Sequence, residues 1–198
     1  FAQRIAVISS ASAAGYGDFC NQLYGNEYGF SFQTELFGAT MQGEQVEQSI
    51  VAALNKINER EDEFDCVVII RGGGATADLS GFDTLVLAEN VANFPLPIIT
   101  GIGHERDESI LDMVAHTRVK TPTAAAAFLI DHLETTLHRI EQAQTSIQHI
   151  VEHTIQHEKL HLQQLSARIP ILFSMVKNRE EARLDNYCHA LLQRSMLY

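Results

Sequence analysis

Residues 65–74, Asp65-Cys-Val-Val-Ile-Ile-Arg-Gly-Gly-Gly74, join a short apolar run to three consecutive glycines. No charged side chain interrupts Cys66 to Ile70, so the run predicts a strand that is buried on both faces. Such strands belong to parallel sheets covered by helices on both sides. The glycines then mark the end of the strand. This stretch predicts an α/β protein.

The rest of residues 1–122 alternates strand-like and helix-like segments. Further strands are predicted at Arg4–Ser9, Phe30–Phe37 and Pro97–Gly101, and helices at Gly43–Glu59 and Asp78–Ala92. This alternation implies βαβ units with right-handed crossovers. We therefore expect residues 1–122 to form a small doubly wound parallel sheet, Rossmann-like or flavodoxin-like.

The sequence changes character at Thr121-Pro-Thr123. Ala124–Arg168 contains no glycine or proline, and its apolar residues recur at a spacing near 3.5, which is typical of a coiled coil. Pro170 then predicts a turn, followed by a returning helix over Ile171–Leu197. Residues 123–198 are therefore expected to form a long helical coiled-coil hairpin.

The chain of 198 residues carries 14 Lys and Arg against 25 Asp and Glu, a formal net charge of −11. This balance argues against a surface that grips nucleic acid everywhere, because phosphate contacts need basic residues. The charge is uneven, since residues 1–122 hold 17 acidic and seven basic residues. Four of those seven basic residues lie among the motifs described next: Arg71, Arg106, Arg118 and Lys120.

Several classes of protein are disfavoured by the composition. No apolar run approaches the ~20 residues that span a bilayer, so no membrane association is expected. No secretory signal opens the chain. The three cysteines have no CxxC spacing, which disfavours a disulfide framework or a zinc site. A cytoplasmic protein is expected.

Polar residues and glycines follow each predicted strand. They are Ser10, Ser12 and Asp18 after the first strand, Gln42 after the second, Arg71 and Gly72 to Gly74 after the third, and His104 and Asp107 after the fourth. Ligands of open parallel sheets bind beyond the carboxyl ends of the strands. The convergence of four such loops predicts a site at that edge.

Two of these groups carry recognisable chemistry. Consecutive glycines can present backbone N–H groups to an anion, and Arg71 could form a fork with a phosphate; the alternative is an ordinary tight turn with a surface arginine. His104 and Asp107 lie three residues apart, so on a helical turn Asp107 could orient the imidazole for proton transfer. The alternative for His104 is a surface histidine.

Four motifs in chain order resemble the large subunit of exodeoxyribonuclease VII, over about residues 4–135. They are Ser10-Ala-Ser-Ala-Ala14, Arg71-Gly-Gly-Gly74, Ile102-Gly-His-Glu-Arg-Asp107 and Thr121-Pro-Thr-Ala-Ala-Ala126. The resemblance implies hydrolysis of phosphodiester bonds in single-stranded DNA to 5′-phosphorylated oligonucleotides. It implies a catalytic set of Asp18, Arg71, His104 and Asp107, with phosphate or DNA contacts from Ser10, Ser12, Gln42, Gly72, Gly73, Gly74 and Arg118.

The resemblance also implies partners and neighbouring segments. It implies a small subunit that docks along the coiled coil and chemistry that does not require a metal, with Mg²⁺ as the candidate ion if one is used. It further implies an N-terminal OB-fold and a C-terminal tail, which we expect to be absent from this chain.

The sequence departs from the family pattern at three positions near these motifs, and the departures bear on the substrate contacts that the resemblance implies. Ala75 stands where serine is usual, Ser80 where tryptophan is usual, and Asp83 where asparagine is usual. Loss of an aromatic platform would weaken base stacking by ~1–3 kcal/mol. A second interpretation therefore stays open, a non-catalytic nucleotide- or phosphate-binding module on a helical oligomerisation stalk. A bound nucleotide without nuclease activity would favour it.

Overall fold

A computed structural model describes residues 2–72, 79–103 and 109–195, with side chains described up to residue 192. In chain order the helices and strands are β1 (Arg4–Ser9), α1 (Ala14–Tyr24), β2 (Gln33–Gly38), α2 (Val46–Asn58), β3 (Cys66–Ile70), α3 (Leu85–Ala92), β4 (Ile98–Gly101), α4 (Ile110–Val114), β5 (Thr117–Arg118) and α5 (Pro122–Ser195). Single 3₁₀ turns occur at Glu61–Glu63 and Ser80–Phe82.

The five strands form one parallel sheet in the order β2-β1-β3-β4-β5. Ile5 pairs with Cys66 and Val67 pairs with Ile98, which places β3 in the middle. The predicted doubly wound parallel sheet is confirmed. After β1 the chain adds β2 on one side of it and then β3 on the other. The junction between β1 and β3 is therefore the topological switch point of the sheet.

Alternating side chains of the strands pack into two separate hydrophobic cores, one on each face of the sheet. Ile5, Val7, Val68 and Ile70 pack with α1 and with the start of α5. Their neighbours on the opposite face, including Ile8 and Ile69, pack with α2, α3 and α4. Every residue of β3 is buried, as expected for a central strand covered on both faces.

Several predicted boundaries shift. The predicted strand from Phe30 begins only at Gln33, because the Asn26 side chain holds both the N–H and the carbonyl of Phe30 in a turn. The helix predicted from residue 78 begins at Leu85 instead. Thr84 caps it there, accepting a hydrogen bond from Leu87 N, after the 3₁₀ turn.

The prediction of a turn at Pro170 is wrong, because α5 continues through this residue. Proline removes one backbone hydrogen bond from a helix interior, at a cost of about 3 kcal/mol. Long helical segments lie on both sides of Pro170, and their intact hydrogen bonds keep the helix formed despite this local loss. Within the described residues, Ile171–Leu192 therefore continues one helix and does not form a returning one.

The chain divides into two compact units, Phe1–His138 and Arg139–Tyr198. The expected domain boundary lies at the first residue of α5, but the opening turns of this helix belong to the first unit. Ala125, Ala126 and Leu129 are at most 2% exposed there, packed against the sheet.

No helix in the described part of the chain is both long and apolar enough to cross a membrane.

An ion pair ties β1 to β3 at the amino edge of the sheet. Asp65 accepts hydrogen bonds from the Arg4 guanidinium at 2.7 Å and from the backbone of Gln3 and Arg4. Burial raises the pKa of Asp65, but these hydrogen bonds outweigh it and hold the pKa below its ordinary value. The carboxylate therefore stabilises the fold above its ordinary pKa, and this contribution is lost as pH falls through its lowered pKa.

The close packing of Gly15 generates the first prediction. We expect Gly15→Ala to lower the free energy of unfolding by about 1–3 kcal/mol. The added methyl group would lie 2.7 Å from the Arg71 carbonyl oxygen and 2.8 Å from Pro122 Cγ, and neither group belongs to a flexible side chain. Urea-induced unfolding followed by circular dichroism measures the difference.

Gly17 supplies the matched control in the same helix. An added methyl group there meets nothing within 4 Å. Gly17→Ala should therefore raise the free energy of unfolding by about 0.5–1 kcal/mol, because alanine loses less backbone entropy than glycine. Equal effects of the two substitutions would show that the contact at Gly15 does not constrain the fold.

Candidate functional site at the carboxyl edge of the sheet

Backbone segments after β1 and β3 meet the start of α5 at the switch point. A methyl group at Gly15 would collide with the Arg71 carbonyl, and one at Gly72 would lie 3.1 Å from Ala13 Cβ. Gly101 is the last residue of β4. A methyl group added there would lie 3.1 Å from the Thr121 carbonyl oxygen. The start of α1 therefore contacts the end of β3 and the start of α5, and the end of β4 contacts the residue before α5.

The loop after β2 approaches the same edge on the other face of the sheet. An added methyl group at Gly81, in the 3₁₀ turn after the glycine motif, would lie 2.8 Å from Val46 Cβ and 3.1 Å from the Gly43 carbonyl oxygen. Gly43 itself has a φ of 79°, a conformation that favours glycine. Gln42, immediately before it, is exposed.

The first helix begins without a side-chain cap. Its N-cap residue, Ala13, cannot accept a hydrogen bond through its side chain, whereas serine or aspartate usually fills this position. The chain enters the helix through a turn in which Ala13 N donates to the Ser10 carbonyl at 3.0 Å. Ser10 and Ser12 share a hydrogen bond of 3.2 Å between their hydroxyls. The positive end of the α1 dipole therefore lies beside two serine hydroxyls.

Arg71 is the most unusual side chain at this edge, because it is only 6% exposed. Its backbone N–H donates to the Gly101 carbonyl at 3.5 Å and so continues the β3–β4 ladder. Strand alternation then places its side chain on the face that carries Val67 and Ile69. Nε and Nη1 are buried, and neither has a hydrogen-bond partner among the described residues.

A buried donor without a partner costs about 1–3 kcal/mol, and more when the group is charged. The hydroxyls of Ser9, at the end of β1, and of Thr100, in β4, also lack a hydrogen-bond partner within the part of the chain that the structure describes. Both residues are fully buried. By alternation Thr100 shares the Arg71 face, whereas Ser9 lies on the face of Val7.

Other predicted site residues are more scattered. Asp18 is exposed on α1, close to its first turn, and no hydrogen bond or ion pair joins it to Arg71 among the described residues. Arg118 ends β5 and is exposed. Gly73, Gly74, His104 and Asp107 lie outside the described residues, so their predicted roles stay predictions.

A buried polar arrangement organises the start of α4. Ser109 and Asp112 form a capping box, in which Ser109 Oγ accepts from Asp112 N at 3.2 Å and donates to Asp112 Oδ2 at 2.9 Å. Asp83 accepts a hydrogen bond from Ile110 N at 2.7 Å. The pattern Ser109-x-x-Asp112 is the sequence signal for this box, whereas the bond to Asp83 has no local signal.

Within residues 2–72, 79–103 and 109–192, no cluster of three His, Cys, Asp or Glu side chains could hold a metal ion. Burial raises the pKa of Cys66 to about 12. This thiol is therefore protonated at neutral pH and is no nucleophile.

The fold and this edge define the class of protein: a doubly wound α/β protein of strand order 2-1-3-4-5, in which Ser10, Ser12 and Arg71 follow the two strands that meet at the switch point. A family model described as exonuclease VII, large subunit, matches residues 1–197. The chain belongs to this family.

Curated relatives agree with that assignment. Proteins named exodeoxyribonuclease 7 large subunit are 35% identical in Cyanothece sp. over 82% of this chain and 39% of the relative, and 35% identical in Nostoc sp. over 93% and 44%. The Lactobacillus johnsonii protein of that name is 32% identical over 98% of this chain and 42% of the relative. The chain thus spans about two fifths of the length of these relatives.

The unused donors of Arg71 generate the second prediction. We expect Arg71→Met to raise the free energy of unfolding by about 1–3 kcal/mol, because it removes buried donors that no described residue satisfies. Inorganic phosphate should stabilise the wild type by binding the folded state, and this stabilisation should disappear in the variant. Thermal unfolding in phosphate and in chloride at equal ionic strength measures both effects.

Arg179→Met is the control, because Arg179 is exposed on α5 and loses the same charge without removing a buried donor. It should change stability by less than about 0.5 kcal/mol and retain the response to phosphate. A destabilised Arg71→Met variant that still responds to phosphate would contradict the assignment of Arg71 as an anion-binding group.

Proposed function

We propose that this protein hydrolyses phosphodiester bonds in single-stranded DNA as the large subunit of an exodeoxyribonuclease VII, releasing 5′-phosphorylated oligonucleotides in the cytoplasm. The observation that carries the proposal is Arg71, a buried arginine at the carboxyl edge of the sheet, two of whose donors have no partner among the described residues. A DNA phosphate supplies the acceptor oxygens that such a fork binds. Membership in the exonuclease VII large-subunit family supports the same substrate.

Arg71 and the neighbouring glycines act on the charge of the reacting phosphate. As a nucleophile attacks phosphorus, negative charge accumulates on the non-bridging oxygens. Donors held in place before the reaction stabilise that charge without reorganising. Arg71 is held by the backbone ladder to Gly101 and by its burial. Gly72 supplies backbone that approaches closely because it has no side chain, and Gly73 and Gly74 extend this run in sequence.

Proton transfer falls to His104, oriented by Asp107. A histidine is suited to this role because its pKa lies near neutrality. Asp18, exposed on α1, positions the attacking water, and its carboxylate would be the ligand for a Mg²⁺ ion if the reaction uses one. Ser10, Ser12, Gln42 and Arg118 belong to segments around the same edge and position the DNA backbone by contacts with phosphate.

A small subunit docks along α5 in this proposal. Seventeen large apolar side chains between Ile147 and Leu192 are 45–70% exposed. When helices associate, apolar area on this scale is removed from water. Its burial stabilises the complex by about 25 cal/mol per Å². Partner helices in a coiled coil provide that cover.

His104 carries the third prediction, made for the full-length large subunit assembled with its small subunit. His104→Ala should lower the rate of single-stranded DNA cleavage by ~10²–10⁴-fold, because it removes a general acid or base. Release of labelled fragments from a single-stranded oligonucleotide, with and without EDTA, measures the rate and its dependence on metal.

The control is His116→Ala, which removes an exposed histidine whose ring contacts the Thr117 hydroxyl. This variant should cleave at close to the wild-type rate. Wild-type cleavage by His104→Ala would remove His104 from the mechanism. A wild-type complex that binds nucleotide and cleaves no DNA would instead favour the non-catalytic phosphate-binding module.

The docking surface on α5 carries the fourth prediction. Leu162 and Leu165 are 63% and 45% exposed and lie on one face of the helix. The double substitution Leu162→Asp, Leu165→Asp should weaken association with the small subunit at least ~10-fold, because it places charge in an apolar interface. Sedimentation of the mixed subunits measures the association.

Gln163→Asp is the matched control, since it adds an aspartate at an exposed polar position between the two leucines. It should leave association within about twofold of wild type. Undiminished binding by the double variant would place the small subunit elsewhere.

A further inference from the structure

One hydrogen bond joins two chain segments that follow separate sequence motifs. Asp83 Oδ1 accepts from the backbone N of Ile110 at 2.7 Å, across 27 positions of sequence. Asp83 follows the glycine motif of residues 71–74, and Ile110 follows the motif that contains His104 and Asp107. The bond thus connects the two parts of the chain to which the proposed nuclease chemistry belongs.

The Asp83 end of this bond is firmly anchored. The 3₁₀ turn Ser80–Phe82 ends at Asp83, whose backbone N–H donates to the Ser80 carbonyl at 3.2 Å. Phe82 is fully buried in the core under α2 and α3. The carboxylate therefore extends from a turn that the buried Phe82 holds in place.

The Ile110 end depends on side chains, because α4 has only five residues. A helix this short does not form on its own. Within the capping box, Asp112 Oδ2 accepts from Ser109 N, and Ser109 Oγ accepts from Asp112 N. Ile110 N lies between them and is not used by the box, so Asp83 satisfies it. Leu111, fully buried, anchors α4 in the same core as Phe82.

We propose that Asp83 is a positioning residue for the nuclease site, acting through the backbone of Ile110 and contacting no substrate. It sets the separation between the segment that follows the glycine motif and the segment that follows His104 and Asp107. The inference rests on the proposed function, since the chemistry of those motifs is what the separation serves. Misplacement of reacting groups by about 1 Å can cost ~10²-fold in rate.

Three variants of the full-length large subunit, each assembled with the small subunit, test this role. Asp83→Ala removes the acceptor, and Asp83→Asn retains an oxygen at the same position. Thr84→Ala is the matched control, because it removes the neighbouring cap of α3 and leaves the Ile110 contact intact. Steady-state cleavage of a single-stranded oligonucleotide gives kcat and KM, and hydrogen exchange at the Ile110 amide reports the bond itself.

We expect Asp83→Ala to lower kcat by ~10–100-fold with KM within about twofold of wild type, because substrate binding is retained while the reacting groups are misplaced. Asp83→Asn should restore kcat to within about threefold, and Thr84→Ala should leave it unchanged. The Ile110 amide should exchange faster in Asp83→Ala alone. Equal kcat in Asp83→Ala and Thr84→Ala would overturn the positioning role.

The failure of this inference is distinguishable from the failure of the proposed function. A wild-type complex that cleaves no single-stranded DNA would overturn the proposed function, and the positioning role with it. An active wild type with unchanged Ile110 exchange in Asp83→Ala would overturn the positioning role alone.

Discussion

The backbone contact between Gly15 and the Arg71–Gly72 segment is the constraint on which the site depends. A methyl group at either Gly15 or Gly72 would meet the opposite segment at 2.7–3.1 Å. The start of α1 can therefore lie directly against the end of β3, with Pro122 at the start of α5 completing the contact. The absence of two Cβ atoms therefore lets the starts of α1 and α5 lie close to the end of β3.

That packing has an energetic consequence for Arg71. Its side chain enters an apolar face of the sheet, where two of its donors find no partner among the described residues. The surrounding cores, including a strand buried at every residue, contribute the stability that offsets this cost. Buried donors without partners are typical of binding sites, where a ligand supplies the acceptors. The proposed affinity of Arg71 for phosphate and the stability of the free protein are therefore opposed at this position.

Prediction from sequence succeeded where one physical effect dominates over several residues. The uninterrupted apolar run of β3 predicts a buried parallel strand, which the structure confirms, whereas the site role of Arg71 and its glycines stays a prediction. It failed at boundaries that depend on contacts with distant residues. The Asn26 side chain delays β2 and Thr84 delays α3. Pro170 stays inside a helix, because the lost hydrogen bond costs less than the helical segments on both sides contribute. The formal net charge of −11 also describes the chain poorly, since a sum over all residues does not report where the few basic residues lie.

The amino-acid sequence alone determined the fold class, the order of most elements and the loops that carry the polar groups, because hydrophobic periodicity and glycine content are local properties. Only the tertiary structure decided that Arg71 is buried, that two of its donors and the hydroxyls of Ser9 and Thr100 have no partner among the described residues, and that Asp83 bonds to Ile110. Each of these facts depends on which residues lie opposite one another across the sheet. Burial and hydrogen-bond satisfaction are properties of that packing, and no local pattern encodes them.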